Sequence, residues 1–126
     1  MSLLFLHYPR CGTCRKARAF LEQQGADFSE RDIVADNPTR EELQQWQQAA
    51  GLPLRKFFNT SGKRYRELAL SEKLPAMTEE EQLDLLASDG MLVKRPILVA
   101  DDTVLTGFRQ AEWEALLLSR SAGGTV

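Results

Sequence analysis

The residues with the clearest capacity for chemistry are Cys11 and Cys14, the only cysteines of the chain, spaced as Cys11-Gly12-Thr13-Cys14. An apolar run, Leu3 to His7, precedes them and closes at Tyr8-Pro9, while helical periodicity begins just after. Cys11 is therefore expected at the threshold of a helix, where unpaired backbone N–H groups and the helix dipole favour an anion. Arg10, Arg15 and Lys16 add positive charge, and a C-x-x-C thiol in such a setting falls below the ordinary value of about 8.5. Cys14, one turn further on, is placed to attack a mixed disulfide on Cys11 and release the partner. Cys11 reads as the nucleophile and Cys14 as the resolving thiol. Two other readings compete. Free cysteines also serve as small buried apolar side chains, and structural zinc takes four Cys or His ligands. Two cysteines and one histidine would need a second subunit to reach four, so no metal is expected. His7, in an apolar strand, reads as a packed or hydrogen-bonded ring rather than a base.

The elements that must position this pair can be read along the chain. Leu3 to His7 is a buried strand. Ala17, Phe20 and Leu21 recur at helical spacing from Cys14 onward, and Gly25 supplies the stop. Residues 26–33 alternate weakly and read as a second strand. Thr39 with Glu42, and Thr78 with Glu81, have the spacing of capping boxes and predict two helix starts. Gly51-Leu52-Pro53 ends the first of these helices, and the second should run to Ala87, before Asp89-Gly90. A further helical piece is expected over Tyr65 to Leu70. Ile97 to Ala100 and Thr103 to Thr106, joined by Asp101-Asp102, read as a hairpin, and Gln110 to Leu118 as a closing helix. The order β-α-β, helices, β-β-α suggests a four-stranded mixed sheet covered by helices. We expect one domain over 1–118, with a helical insertion at about 38–90 and a flexible tail at 119–126.

Composition narrows the class. The 126 residues suffice for one core without disulfide or metal staples. A net charge of -2 offers no global attraction to nucleic acid or anionic lipid, so neither a direct nucleic-acid partner nor a membrane is expected. No stretch approaches the roughly 18 apolar residues of a membrane span, and the N-terminal run lacks the features of a signal peptide. The expected location is the cytoplasm, where a reactive pair is the better reading of C-x-x-C than a permanent disulfide.

Tyr8-Pro9-Arg10-Cys11-Gly12-Thr13-Cys14-Arg15-Lys16-Ala17, Leu92-Val93-Lys94-Arg95-Pro96-Ile97-Leu98 and Leu105-Thr106-Gly107-Phe108-Arg109 together resemble the arsenate reductase ArsC family, in its Spx/MgsR-like branch. The likeness runs from about Leu3 to Leu118. It implies an α/β, thioredoxin-like (glutaredoxin-like) sheet with an inserted helical block. It also implies Cys11 as nucleophile, Arg95 and Arg109 as oxyanion-binding arginines, and Pro96 as a cis-proline facing the cysteine loop. Gly12, Thr13 and Arg15 belong to the same binding loop. A thiolate approaches a multiply charged oxyanion only where guanidinium and helix-terminal N–H groups offset the repulsion. Single-cysteine members carry serine where this chain has Cys14, and recycle through glutathione and glutaredoxin. The resemblance thus implies a small oxyanion or disulfide as substrate, no bound cofactor, glutathione as a co-substrate, and glutaredoxin or thioredoxin as partner. The Spx branch implies instead a redox sensor that binds the C-terminal domain of the RNA polymerase α subunit, with Gly51 near the contact glycine. Gly51 also reads as a plain helix stop. The loop Asn59 to Tyr65 reads as a solvated connection, and Glu79-Glu80-Glu81 as charge on a first helical turn.

Overall fold

The computed structural model describes residues 3–123. Four strands, β1 (Leu3–His7), β2 (Phe28–Asp32), β3 (Ile97–Ala100) and β4 (Thr103–Thr106), form one sheet in the order β2-β1-β3-β4. β1 pairs parallel with β2 and antiparallel with β3, and β3 pairs antiparallel with β4. The parallel pair is bridged by α1 (Gly12–Gln23), as parallel strands require a crossover. This is the α/β mixed sheet expected from the sequence.

Successive side chains of a strand point to opposite faces, so each central strand feeds two cores. Leu3, Phe5, Leu98 and Ala100 pack with Ala17, Phe20 and Leu21 of α1 and with Trp113 of α6 (Gln110–Gly123). Leu6, Ile97 and Val104 face the other way. They join Leu43 and Trp46 of α2 (Arg40–Ala50) and Leu83 and Leu86 of α5 (Glu79–Ser88) in a second core. The helical block is thus one layer of the fold, packed on the sheet.

Local signals set the ends of that block. Both capping boxes are formed: Thr39 accepts from the Glu42 N–H and Thr78 from the Glu81 N–H, with each glutamate returning to the cap N–H. Gly51 closes α2 in the left-handed conformation, φ 67°, where glycine has no Cβ penalty. The Asn37 side-chain amide donates to the carbonyls of Leu86 and Ala87, at 3.5 and 2.8 Å. Gly90 lies so close to the preceding loop that a Cβ there would stand 2.2 Å from the Ile33 carbonyl oxygen.

Elsewhere the chain departs from expectation. The helix expected over Tyr65 to Leu70 is two short ones, α3 (Lys63–Glu67) and α4 (Leu70–Lys73), separated by Ala69 at φ 53°. That break turns Leu70 into the core, where it is 2% exposed. α1 begins at Gly12, two residues before Cys14, and β2 is confined to Phe28–Asp32. α6 continues past Leu118 to Gly123, since no proline or glycine interrupts it sooner. The expected tail therefore begins as helix, and its last residues, 124–126, lie outside the described residues. Short 3-10 turns at Leu54–Phe57, Leu74–Ala76 and Gly90–Leu92 fill the connections.

Candidate active site

The site is built where β1 hands over to α1. The Tyr8 carbonyl accepts from the Cys11 N–H at 2.9 Å, which tightens the turn. Cys11 is extended, φ -87° and ψ 123°, and occupies the N-cap of α1. Its side chain makes no N-cap hydrogen bond within ordinary distance, and the N–H of Cys14 favours its anion. Cys11 is half-buried and Cys14 fully buried, and both are free thiols. The difference follows from helical period: Cys14 shares the core-facing side of α1 with Ala17 and Leu21. The Cys14 sulfur accepts the Tyr8 N–H at 3.5 Å.

Arg95 arrives through the sheet. β1 and β3 are paired Leu3 with Ala100 through Leu6 with Ile97, and Tyr8 and Arg95 each lie two residues beyond the last pair. The Arg95 guanidinium carbon lies over the Tyr8 ring, 5.0 Å from its centre. One guanidinium nitrogen is 3.5 Å from the Met91 carbonyl. The segment before Arg95 is fastened to the helical block: the Lys94 N–H donates to the Phe57 carbonyl at 2.7 Å, and Asn59 donates to Leu92 at 2.8 Å. The Arg95-Pro96 peptide is cis, and buried Pro96 accepts the Gly107 N–H at 2.8 Å.

The two thiols are driven in opposite directions. Burial raises the Cys11 value, but the Cys14 N–H, the Cys14 thiol and the Arg95 guanidinium, by hydrogen bond and by charge, outweigh it and hold Cys11 below the ordinary thiol range. Cys14 is pushed up to about 12, first by burial and then by the neighbouring Cys11, with the Tyr8 N–H opposing. The anion belongs on Cys11 and the proton on Cys14.

Gly12 and Thr13 are exposed on the first turn of α1. Arg15 is exposed, and its guanidinium donates back to the Arg10 carbonyl at 3.3 Å. Arg109 is exposed just before α6, where its carbonyl accepts from the N–H groups of Glu112 and Trp113. The guanidinium acting on Cys11 is that of Arg95. His7 stacks on Phe5, ring centres 4.8 Å apart, and its Nε2 lies 3.3 Å from Glu30 Oε1. Tyr8 was legible in the sequence only as the end of a strand, although it touches Cys11, Cys14 and Arg95; the one available signal was an aromatic residue shortly before a C-x-x-C motif. Among the described residues no cluster of three or more metal-ligating side chains occurs, and no helix is long and apolar enough to cross a membrane.

Known proteins resemble this chain over most of its length. A crystal structure of an ArsC family related protein from Bacteroides fragilis superposes with a TM-score of 0.90 at 56% identity, covering 92% of this chain and 98% of that one. The regulatory protein MgsR of Bacillus subtilis is 32% identical over 87% of this chain and 86% of its own length. An arsenate reductase of Rhizobium meliloti is 32% identical over 79% of this chain and 70% of its own. The ArsC family model matches residues 6–116, and the chain, with its thioredoxin-like fold and relatives of both kinds, belongs to the ArsC family.

Proposed function

We propose that this protein is a thiol oxidoreductase of the cytoplasm in which Cys11 attacks a small oxidised substrate and Cys14 resolves the product. The observation that carries the reading is the placement of the two free thiols, a half-buried Cys11 at the N-cap of α1 beside a fully buried Cys14, which favours the anion on the first and the proton on the second. With a disulfide, the Cys11 thiolate bonds to one sulfur and the other leaves as a thiolate. Cys14 gives up its proton to that leaving group and attacks Cys11 Sγ. The Cys11–Cys14 disulfide forms, a second thiol departs, and two electrons have passed to the substrate. With arsenate, Cys11 displaces one oxygen, which leaves as water after taking up protons. Attack by Cys14 on Cys11 Sγ then breaks the S–As bond, leaving its electron pair on arsenic as arsenite. Arg95 balances the charge gathering beside the sulfur, and Arg109 is the second arginine proposed to face an oxyanion. Gly12, Thr13 and Arg15 line the loop, and Pro96 backs it. Glutathione with glutaredoxin, or thioredoxin, would return the pair to its dithiol.

The test is turnover of arsenate and of a small disulfide, each with glutathione and glutaredoxin, by wild type and Cys11→Ser. Turnover that disappears with the substitution is expected. Its absence on both substrates, together with a Cys11 alkylation midpoint at the ordinary thiol value, would overturn the reading.

A second reading is favoured by the likeness to MgsR over most of both chains: the same thiol pair switching a surface that binds the RNA polymerase α C-terminal domain. Binding that differs between the dithiol and disulfide forms is its expected signature. The left-handed conformation of Gly51 accounts for that glycine as a helix stop, so the polymerase reading does not rest on it.

A further inference from the structure

We propose that the ring of Tyr8 is the positioning element of the site: it holds the Arg95 guanidinium beside Cys11, so that ring, cation and sulfur form one chain of contacts. The proposal rests on Cys11 being the reactive thiolate argued above. Tyr8 touches every member of the site, but unequally. Its N–H to Cys14 and its carbonyl to Cys11 are backbone contacts that any side chain except proline at this position would keep. Only the ring, 5.0 Å from the Arg95 guanidinium carbon, depends on the residue being aromatic.

Arg95 needs such a hold. An arginine side chain has much rotamer freedom to lose, and the Met91 carbonyl, at 3.5 Å, is a long and weak hydrogen-bond partner. The Tyr8 ring, by contrast, is partly buried and packs against the core of the helical block, so its own position is set by the fold. A ring beneath a guanidinium engages its face and leaves the in-plane N–H groups free. One of those groups is 3.5 Å from the Met91 carbonyl, and the guanidinium also acts to lower Cys11. The ends of the paired strands β1 and β3 bring ring and guanidinium together, and the lowered Cys11 value is the expected consequence.

The readout is the pH midpoint of Cys11 alkylation in the full chain, followed by peptide mass spectrometry. Tyr8→Leu should raise the midpoint by about 0.4–1.5 pH units, the range spanned by cation–π contacts, while Tyr8→Phe should stay within a few tenths of the parent. With Arg95→Gln already in place, adding Tyr8→Leu should change nothing further, because both substitutions remove the same contact chain. Should the Tyr8→Leu protein not fold, phenylalanine and its fluorinated analogues at position 8 keep the ring's bulk while draining its negative face. A midpoint that climbs with fluorine content supports the proposal; a flat series overturns it. A low wild-type midpoint that Tyr8→Leu leaves unmoved sinks the role of the ring alone. A wild-type Cys11 that titrates like any free thiol takes the thiolate reading down with it.

Discussion

Cys11→Ser leaves Cys14 as the sole thiol of the chain, and its reactivity can be worked out from the structure. A free thiol lies at about 8.5 and Cys14 is pushed up to about 12, so at neutral pH its thiolate is rarer by about a thousandfold or more. A more basic thiolate is also a better nucleophile, with a Brønsted slope of about 0.4–0.5, which recovers about twentyfold. The balance is alkylation about fiftyfold slower than a free cysteine peptide at pH 7, before access is considered. Cys14 is 0% exposed, which slows it further. The substitution removes the charge of Cys11 and leaves a hydroxyl that can still hydrogen-bond there, and burial is the largest single cause, so most of the retardation should persist. Iodoacetamide labelling from pH 6 to 10, scored at the Cys14 peptide, reads this directly. Labelling within a few-fold of the free peptide would refute the assignment of the proton to Cys14, and with it the division of roles between the two sulfurs.

Two further expectations concern the frame that holds the site. Glu42 is held at about 2, against an ordinary 4.5, chiefly by Arg31, with burial opposing and the Thr39 N–H assisting. Because its folded value is depressed, its stabilisation is complete above pH 4.5 and is lost as pH falls through about 2. The drop from 4.5 to about 2 sets a ceiling of about 3 kcal/mol, which screening at a carboxylate with 33% exposure reduces to about 1–2 kcal/mol. Glu42→Gln should therefore lower the urea midpoint at pH 7 and much less at pH 2; an equal loss at both would count against the ion pair. Gly90→Ala drives a Cβ to 2.2 Å from the Ile33 carbonyl oxygen and 2.8 Å from Val34 Cα. Both are backbone atoms, so an overpacking loss of about 3 kcal/mol is expected, visible as a fall in thermal midpoint; an unchanged midpoint would show that this junction is looser than its geometry.

What could be read in advance divides along physical lines. The strands Leu3–His7, Ile97–Ala100 and Thr103–Thr106 and both threonine capping boxes are written in short-range signals, namely apolar runs, an Asp-Asp turn and a Thr with Glu three residues on. The break at Ala69 is not. Alanine is the best helix former, and only the burial of Leu70 against distant elements selects the left-handed turn there. α6 runs past Leu118 because Ser119 and Ser121, though common in loops, do not forbid helix, and nothing else in Ser119-Arg120-Ser121-Ala122 does. Family resemblance marks Arg95, but its aromatic neighbour depends on how the strand ends are brought together, which single-sequence patterns leave unset.

The asymmetry of the two cysteines needs no special device beyond those strand ends and one helix. Three residues carry the chain through nearly one turn, so a motif that begins at an N-cap must put its first thiol at the helix mouth and its second over the side that begins the buried stripe. In α1 that stripe is Cys14, Ala17 and Leu21, and burial alone is the largest influence on Cys14. Burial opposes the anion at Cys11, and the Cys14 N–H at the helix mouth, the Cys14 thiol and then the Arg95 guanidinium together outweigh it. A helix N-terminus alone would therefore leave Cys11 less acidic than the assembled site does. The ends of β1 and β3 add the last contribution, the Arg95 guanidinium over the Tyr8 ring.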